Sequence, residues 1–250
     1  MPPEDLHERL RRYWDEDART YDRAPDHKAH TPTQRAVWAS VLRRLLPPPP
    51  ARVLDVGSGT GFLALPLARL GYDVTAADLS RRMLDELERS AAAEGVAIDL
   101  VEAPAERPPD GPFDAVVERL LLWTLADPVA ALRRWREVAP SGRLVSFGVV
   151  WGARDKVERL RESARWRFDE VRRRPPHHHA PYEQAVVEKL PYHGAGVPPG
   201  DVVAAVEAAG WKHVRLERLR DVEWSQAILL GPVERLLGVA PAFAVSGDAA

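Results

Sequence analysis

The chain contains no cysteine among its 250 residues. Disulfide bonds, a thiol nucleophile and cysteine-ligated metal are therefore excluded, and this composition suits a cytoplasmic protein, which is the location we predict. An excess of one charge is also missing, since 35 Lys and Arg residues are balanced by 37 Asp and Glu residues. Because no overall positive field attracts nucleic acid, we predict no nucleic-acid partner.

Long apolar runs are absent as well. No stretch reaches the roughly 20 apolar residues that a helix needs to cross a bilayer. The first residues, Met-Pro-Pro-Glu-Asp, do not have the pattern of a signal peptide. We therefore expect no stable membrane insertion. The length suffices for one α/β domain with an insertion. We expect the protein to be a monomer or a homodimer.

The most informative segment that is present reads Val-Leu-Asp-Val-Gly-Ser-Gly-Thr-Gly, at residues 53–61. Its apolar residues predict a short buried strand, and its glycines allow a sharp turn and a close approach to a ligand. Leucine spacing predicts a helix over residues 60–70. A strand, a glycine turn and a helix N-terminus together form an anion and nucleotide site. Asp78 ends the second strand, where a carboxylate can accept both hydroxyls of a ribose.

Alternating apolar strands and amphipathic helices predict a doubly wound, mostly parallel sheet that is covered on both faces. The predicted strands lie at roughly 52–56, 73–77, 97–101, 113–118 and 143–150, and two more are expected at 210–219 and about 241–246. Ser80 and Asp127 are placed to cap the helices that follow them. An α/β fold is the predicted class.

Four units follow from this pattern. Residues 1–50 are predicted to form a helical N-terminal cap, residues 51–151 the nucleotide-binding core, and residues 200–250 the rest of the sheet. Residues 152–199 do not fit the alternation and follow the fifth strand. Since open α/β sheets bind ligands at their carboxyl edge, we predict that this insertion is a cap or lid over the substrate that accepts the transferred group.

Residues 53–61 and Asp78 resemble motif I and the ribose-binding strand end of class I S-adenosylmethionine-dependent methyltransferases. The spacing G-x-G-x-G differs from the G-x-G-x-x-G of dinucleotide sites, so an NAD-dependent dehydrogenase is the weaker alternative. Residues 13–22 resemble a helix of ubiquinone-type small-molecule methyltransferases. The resemblance implies strand order 3-2-1-4-5-7-6, with strand 7 antiparallel in a hairpin. It also implies S-adenosylmethionine as cofactor and S-adenosylhomocysteine as product.

The resemblance further implies a cofactor site. The glycine turn would approach the methionine part, Asp55 would hold that turn, Asp78 would bind the ribose, and Tyr21 would cover the cofactor. The implied set is Tyr21, Asp55, Gly57, Ser58, Gly59, Gly61, Asp78, Leu79, Met83, Ala105, Glu106 and Arg119. Here Leu79 and Met83 would pack on the adenine, and Arg119 would face the methionine group with its backbone. Pro104 stands where many relatives have Asp or Asn, which shifts the adenine contact toward Glu106 or the Ala105 N–H.

Methyl transfer is an in-line displacement, in which the enzyme chiefly aligns the reacting atoms. A general base is needed only for an acceptor hydroxyl of high pKa. Candidate bases are His27, His30 and His193, with Tyr192 beside the last of these. Consecutive histidines at 177–179 could suggest a metal site. Adjacent side chains on a loop diverge, however, and no carboxylate repeats at ligand spacing, so we expect no metal.

The leading hypothesis is methyl transfer to O, N or C of a small molecule, in specialised metabolism. One alternative is a methyltransferase for quinones or lipid precursors. Another is a regulator that binds S-adenosylmethionine without transferring the methyl group. Trp123, on the loop after the fourth strand, is a candidate wall of the acceptor pocket.

Overall fold

The computed structural model describes residues 3–24, 27–150, 181–192 and 196–250. Its strands are β1 (Arg52–Val56), β2 (Asp73–Asp78), β3 (Asp99–Glu102), β4 (Ala115–Arg119), β5 (Arg143–Val149), β6 (Lys212–Arg218) and β7 (Ala242–Asp248). They form a seven-stranded sheet in the order β3-β2-β1-β4-β5-β7-β6. Strand β7 is antiparallel to both of its neighbours, β5 and β6. The predicted fold class and strand order are confirmed.

The helices lie on both faces of this sheet. They are α1 (Pro3–Asp17), α2 (Pro32–Leu45), α3 (Ala64–Arg69), α4 (Arg81–Glu94), α5 (Pro128–Val138), α6 (Gln184–Val187), α7 (Pro199–Ala208), α8 (Arg220–Ala227) and α9 (Pro232–Leu237). Apolar side chains of α2, α3, α4 and α8 bury one face of the sheet. Those of α5 and α7 bury the other. Two separate cores therefore enclose the sheet, as expected for strands without a polar face.

Helix starts follow the capping chemistry of the sequence. Ser80 Oγ accepts a hydrogen bond from Met83 N at 3.1 Å and begins α4. Asp127 Oδ1 accepts from Ala130 N at 2.8 Å and begins α5. Each cap satisfies a backbone N–H that has no partner within its helix. Because both helices follow the loops at the carboxyl edge of the sheet, their caps also fix the ends of those loops.

The helix predicted over residues 60–70 is shorter than expected and begins only at Ala64. Residues 60–63 are turns instead, because the glycines before them hold positive φ angles. At Gly61, φ is +97°, and a Cβ atom would lie 2.3 Å from Leu87 Cδ1. Glycine is required there by backbone conformation and by the close approach of α4.

The connection between β6 and β7 is longer than a hairpin turn. These strands pair antiparallel as predicted, but residues 219–241 between them contain α8 and α9. Arg218 is paired with Phe243, and Val149 with Ala242. The connection therefore emerges at the carboxyl edge of the sheet, beside the end of β5.

Helix α1 packs against α4 and α6. Leu6 and Leu10 of α1 form a small apolar cluster with Val186 and Leu190. The predicted cap over residues 152–199 lies mostly outside the described residues, apart from 181–192 and 196–199. No helix in the described part of the chain is both long enough and apolar enough to span a bilayer.

Candidate functional site

A cavity opens at the carboxyl edge of the sheet, above the ends of β1, β2 and β4. It encloses about 810 Å³ of empty space, counting the part that is open to solvent. Nine of the twelve predicted cofactor residues line it: Tyr21, Gly57, Gly59, Asp78, Leu79, Met83, Ala105, Glu106 and Arg119. The other three, Asp55, Ser58 and Gly61, are not part of its lining.

The glycine turn crosses the end of β2. Gly57 N and Ser58 N both donate hydrogen bonds to Ala77 O, at 2.8 and 3.1 Å. Gly61 N donates to Ser58 O at 2.9 Å and closes the turn. These bonds join the loop after β1 to the strand that carries Asp78. The turn and the carboxylate are therefore held as one unit by backbone contacts.

Asp78 is buried at the centre of this unit. Its Oδ2 accepts a hydrogen bond from Gly59 N and its Oδ1 accepts one from Ser80 N, both at 2.8 Å. Burial raises the pKa of Asp78 to about 6, although these hydrogen bonds favour the charged form. A carboxylate has about four lone-pair sites. The backbone of Leu79 also contributes a hydrogen bond, and the carboxylate keeps acceptor capacity for a ribose hydroxyl.

Asp55 and Ser58 lie behind the turn. Asp55 is 2% exposed and accepts a backbone hydrogen bond from Ala64, the first residue of α3. Burial raises the pKa of Asp55 well above its ordinary range. Its Oδ2 and the Oγ of Ser58 are buried without a hydrogen-bond partner in the described part of the chain. Asp55 thus ties the glycine turn to α3.

The far end of the cavity has an apolar floor and a polar rim. Leu79 and Met83 come from the end of β2 and the start of α4. Across from them, residues 103–106 form the loop after β3. Trp135 Nε1 donates a hydrogen bond to Ala105 O at 2.7 Å and fixes this loop. Glu106 Oε2 lies 3.3 Å from His7 Nε2. A flat heterocycle can be held between such a floor and such a rim.

Helix α1 supplies a wall that the sequence prediction did not assign to the site. Leu6, His7, Leu10 and Trp14 all line the cavity. Leu6, Leu10 and Trp14 recur every four residues, which is typical of the apolar face of an amphipathic helix, but this spacing does not show what the face covers. The helix is anchored by Asp15, whose Oδ1 accepts a hydrogen bond from Ser80 Oγ at 2.6 Å.

Two charged residues end β4 on opposite faces of the sheet. The Arg119 guanidinium carbon lies 3.8 Å from the centre of the Phe62 ring. Glu118 is 1% exposed and accepts hydrogen bonds from Ser146 Oγ and from Leu121 N. Burial raises the pKa of Glu118 to about 7, against these hydrogen bonds. Glu118 was not among the predicted residues, because the strand order alone does not show that Ser146 of β5 lies beside it.

The candidate bases do not meet in the cavity. His27 is buried and its ring stacks on Tyr21 at 3.9 Å, with Nδ1 2.9 Å from Tyr21 O. His30 Nε2 lies 3.4 Å from Ala24 O. Tyr192 is not part of the lining either, and burial raises its pKa. His193 and the histidines at 177–179 lie outside the described residues.

A family model described as a methyltransferase domain matches residues 54–146. The chain is 38% identical over 98 residues to a ubiquinone biosynthesis O-methyltransferase of Caulobacter sp. (strain K31), covering 38% of this chain and 39% of that protein. It is 41% identical over 117 residues to a demethylmenaquinone methyltransferase of Thermus thermophilus, covering 41% and 53%. The matches thus span about half or less of these relatives.

Solved structures of the same fold cover nearly the whole chain. One is a SAM-dependent methyltransferase from Aquifex aeolicus, with a TM-score of 0.55, 17% identity, and 88% and 94% of the two chains covered. Another is the magnesium protoporphyrin IX methyltransferase from Synechocystis PCC 6803 with bound SAH, with a TM-score of 0.61, 15% identity, and 98% and 100% covered. At this identity, the likeness describes the fold.

Proposed function

We propose that this chain transfers the methyl group of S-adenosylmethionine to a small molecule, because residues 54–146 match a family model described as a methyltransferase domain. One observation carries the proposal. The glycine turn, the Asp78 carboxylate and the apolar floor of Leu79 and Met83 line the same cavity. A ligand there meets backbone, carboxylate and apolar surface in the order that an amino acid, a ribose and an adenine require.

Each predicted cofactor residue has a proposed role. Asp78 binds the ribose hydroxyls, and the backbone at Gly57 and Gly59 approaches the methionine part. Leu79 and Met83 pack on the adenine.

The remaining members of the set lie around these contacts. Ala105 and Glu106 face the edge of the adenine, and Tyr21 and Arg119 border the methionine end. The three residues behind the cavity surface hold the glycine turn in place; they are Asp55, Ser58 and Gly61.

Methyl transfer from S-adenosylmethionine requires little covalent chemistry from the protein itself. When bound, the cofactor supplies an electrophilic methyl group on a sulfonium. The side chains around it align the acceptor atom with that methyl group and exclude water, which strengthens electrostatic interactions. His27, His30 and His193 remain proposed bases for a hydroxyl acceptor. Tyr192 is the weaker candidate, since its raised pKa disfavours the phenolate that a base requires.

A quinone-type acceptor is the second candidate. It is supported by the names of the two curated relatives, a ubiquinone biosynthesis O-methyltransferase and a demethylmenaquinone methyltransferase. The segment of residues 13–22, which resembles that group of enzymes, supplies a wall of the cavity through Trp14 and Tyr21. An acceptor from specialised metabolism is our first choice, because the predicted insertion offers a cap for an individual substrate.

We further propose that the protein works in the cytoplasm, as a monomer or homodimer, without a nucleic-acid partner. The near balance of acidic and basic residues supports the last point. Fractionation of cells and size-exclusion chromatography with light scattering test the location and the oligomeric state.

The test of the proposed function is transfer of isotopically labelled methyl from S-adenosylmethionine to panels of phenols, quinols and amines. We expect labelled product with at least one panel, and S-adenosylhomocysteine in equal amount. The Asp78→Asn variant is the matched control, since it keeps the shape of the side chain but loses its charge. Tight cofactor binding without transfer to any panel would instead favour the regulator.

A further inference from the structure

Five aromatic side chains from distant parts of the chain meet beside the cofactor cavity. We call Tyr13, Trp14, Tyr21, Trp123 and Tyr182 the aromatic cluster. The Tyr182 ring stacks on Tyr13 with centroids 4.0 Å apart, and it meets Trp14 and Trp123 edge to face at 5.8 and 5.4 Å. Trp14 also meets Tyr21 edge to face at 5.9 Å. Tyr182 is therefore in contact with most of the cluster.

The aromatic cluster lies between two cavities. Trp14 and Tyr21 line the cofactor cavity, near Arg119 and the glycine turn. Trp123 lines a smaller cavity over the ends of β4 and β5, with about 290 Å³ of empty space when the part that is open to solvent is counted. Leu120 lines both. A molecule held at the cluster would therefore lie next to the methionine end of the cofactor site, where a methyl acceptor must lie.

The hydroxyl group of Tyr182 has no partner in this arrangement. Its oxygen is buried and makes no hydrogen bond with any described residue. Buried tyrosine hydroxyls normally find a partner, because an unsatisfied polar group is costly. Burial, together with the nearby Tyr13, Tyr21 and Asp17, raises the pKa of Tyr182 well above its ordinary range. The group therefore stays protonated, and its O–H is available to donate a hydrogen bond.

We propose that the aromatic cluster is the wall of the acceptor site, and that the Tyr182 hydroxyl donates a hydrogen bond to an oxygen or nitrogen atom of a planar aromatic acceptor. This inference rests on the proposed methyl transfer. A flat ring can join the edge-to-face and stacked arrangements of the cluster at the same spacings. The acceptor would also supply the partner that the buried hydroxyl lacks.

Stability gives the first test, with Tyr182→Phe compared against Tyr72→Phe. Tyr72 is buried at the other edge of the sheet, and its hydroxyl donates to Pro47 O at 2.9 Å. Removal of this paired hydroxyl should lower the Tm by about 2–4 °C. Removal of the unpaired Tyr182 hydroxyl should leave the Tm equal or higher. A fall in Tm for Tyr182→Phe as large as that for Tyr72→Phe would overturn the inference.

Activity gives the second test, with catechol, caffeate, 2-naphthol and 8-hydroxyquinoline as aromatic acceptors and ethanolamine as an aliphatic one. We expect transfer to an aromatic acceptor, and a rise in its KM of about tenfold in Tyr182→Phe, as for one lost hydrogen bond. Tyr72→Phe should keep the KM of the wild type. Calorimetric affinity for S-adenosylhomocysteine should change less than about twofold in both variants.

The outcomes separate this inference from the proposed function. If S-adenosylhomocysteine binds and only ethanolamine is methylated, or if the aromatic KM is unchanged in Tyr182→Phe, the inference is wrong and the methyltransferase proposal stands. If S-adenosylhomocysteine binds but no acceptor in the panel is methylated, the aromatic acceptor class is contradicted. If S-adenosylhomocysteine does not bind to the wild-type protein, the proposed function itself fails.

Discussion

The cofactor cavity and the aromatic cluster are built in opposite ways. Around the cavity, short segments follow directly after β1, β2 and β3, and backbone hydrogen bonds such as Gly57 N to Ala77 O hold them together. In the cluster, Tyr13 and Tyr182 come from distant parts of the chain and meet through their rings. Backbone contacts fix a geometry that tolerates sequence change, whereas ring packing depends on each side chain. We therefore expect cofactor binding to be the robust half of the site and acceptor binding the adaptable half.

The largest expected effect concerns the backbone half. At Gly61, alanine would combine a φ of +97° with a Cβ 2.3 Å from Leu87 Cδ1. We expect Gly61→Ala to lower the free energy of unfolding by more than about 3 kcal/mol, because strain and overpacking add. Gly59→Ala is the control, since φ is +53° and nothing lies within 4 Å; it should cost about 1 kcal/mol. Equal losses in urea titrations would contradict the close approach of α4.

The next prediction concerns the buried carboxyl group of Glu118, which joins β4 to β5 through its hydrogen bond with Ser146. Burial raises the pKa of Glu118 from 4.5 to about 7. Because its pKa is higher in the folded state than in the unfolded state, protonated Glu118 stabilises the folded protein. This stabilisation is complete below about pH 4.5 and is lost as the pH rises through about 7. The free energy of unfolding of Glu118→Gln, relative to that of the wild type, should therefore rise by about 3 kcal/mol as the pH increases from about 4.5 to 8. The difference between their unfolding free energies, measured across this range, checks it. A difference that does not vary with pH would mean that Glu118 ionises normally.

Asp78 tests the cofactor cavity directly. We expect Asp78→Ala to weaken S-adenosylmethionine binding by about 2–3 kcal/mol, because two charge-assisted hydrogen bonds to the ribose are lost. Asp73→Ala is the control on the same strand, since Asp73 is exposed at the opposite end of β2. It should change the calorimetric affinity less than about twofold. Unchanged affinity in Asp78→Ala would mean that the ribose lies elsewhere.

The smallest effect is the pH dependence of the same contact. Burial raises the pKa of Asp78 to about 6, and the ionised form is the better acceptor for ribose hydroxyls. Affinity for S-adenosylhomocysteine should therefore fall as the pH drops through about 6, by about tenfold at pH 5. Asp78→Asn should bind weakly at every pH and lose this dependence. A flat wild-type profile across this pH range would argue against a carboxylate in contact with the ligand.

The sequence was sufficient to predict the features that depend on the spacing of neighbouring residues. Apolar runs and caps located the strands and the starts of α4 and α5, and motif I with Asp78 indicated the family, whose fold class is confirmed. The sheet order came from the resemblance, because periodicity does not specify how strands are arranged. The start of α3 was missed since the glycine turn extends to residue 63, and leucine spacing cannot distinguish a turn from a first helical turn.

The contacts between distant segments were not predictable in the same way. The apolar stripe of α1 indicated a covered surface, but only the fold brings Leu6 and His7 to the cofactor cavity. The helices α8 and α9 between β6 and β7 were not predicted, because a hairpin was expected to join these two strands directly. Tyr182 gave no signal, because a buried hydroxyl without a partner is a property of packing and not of residue order. The assignment of individual residues to cofactor and acceptor remains a proposal.

The identity of the cofactor can be tested by calorimetric titration of the wild-type protein with S-adenosylmethionine, S-adenosylhomocysteine and NAD. We expect micromolar binding of the first two at one site per chain, and no binding of NAD. Binding of NAD, with no response to either sulfur compound, would contradict the assignment of the cavity.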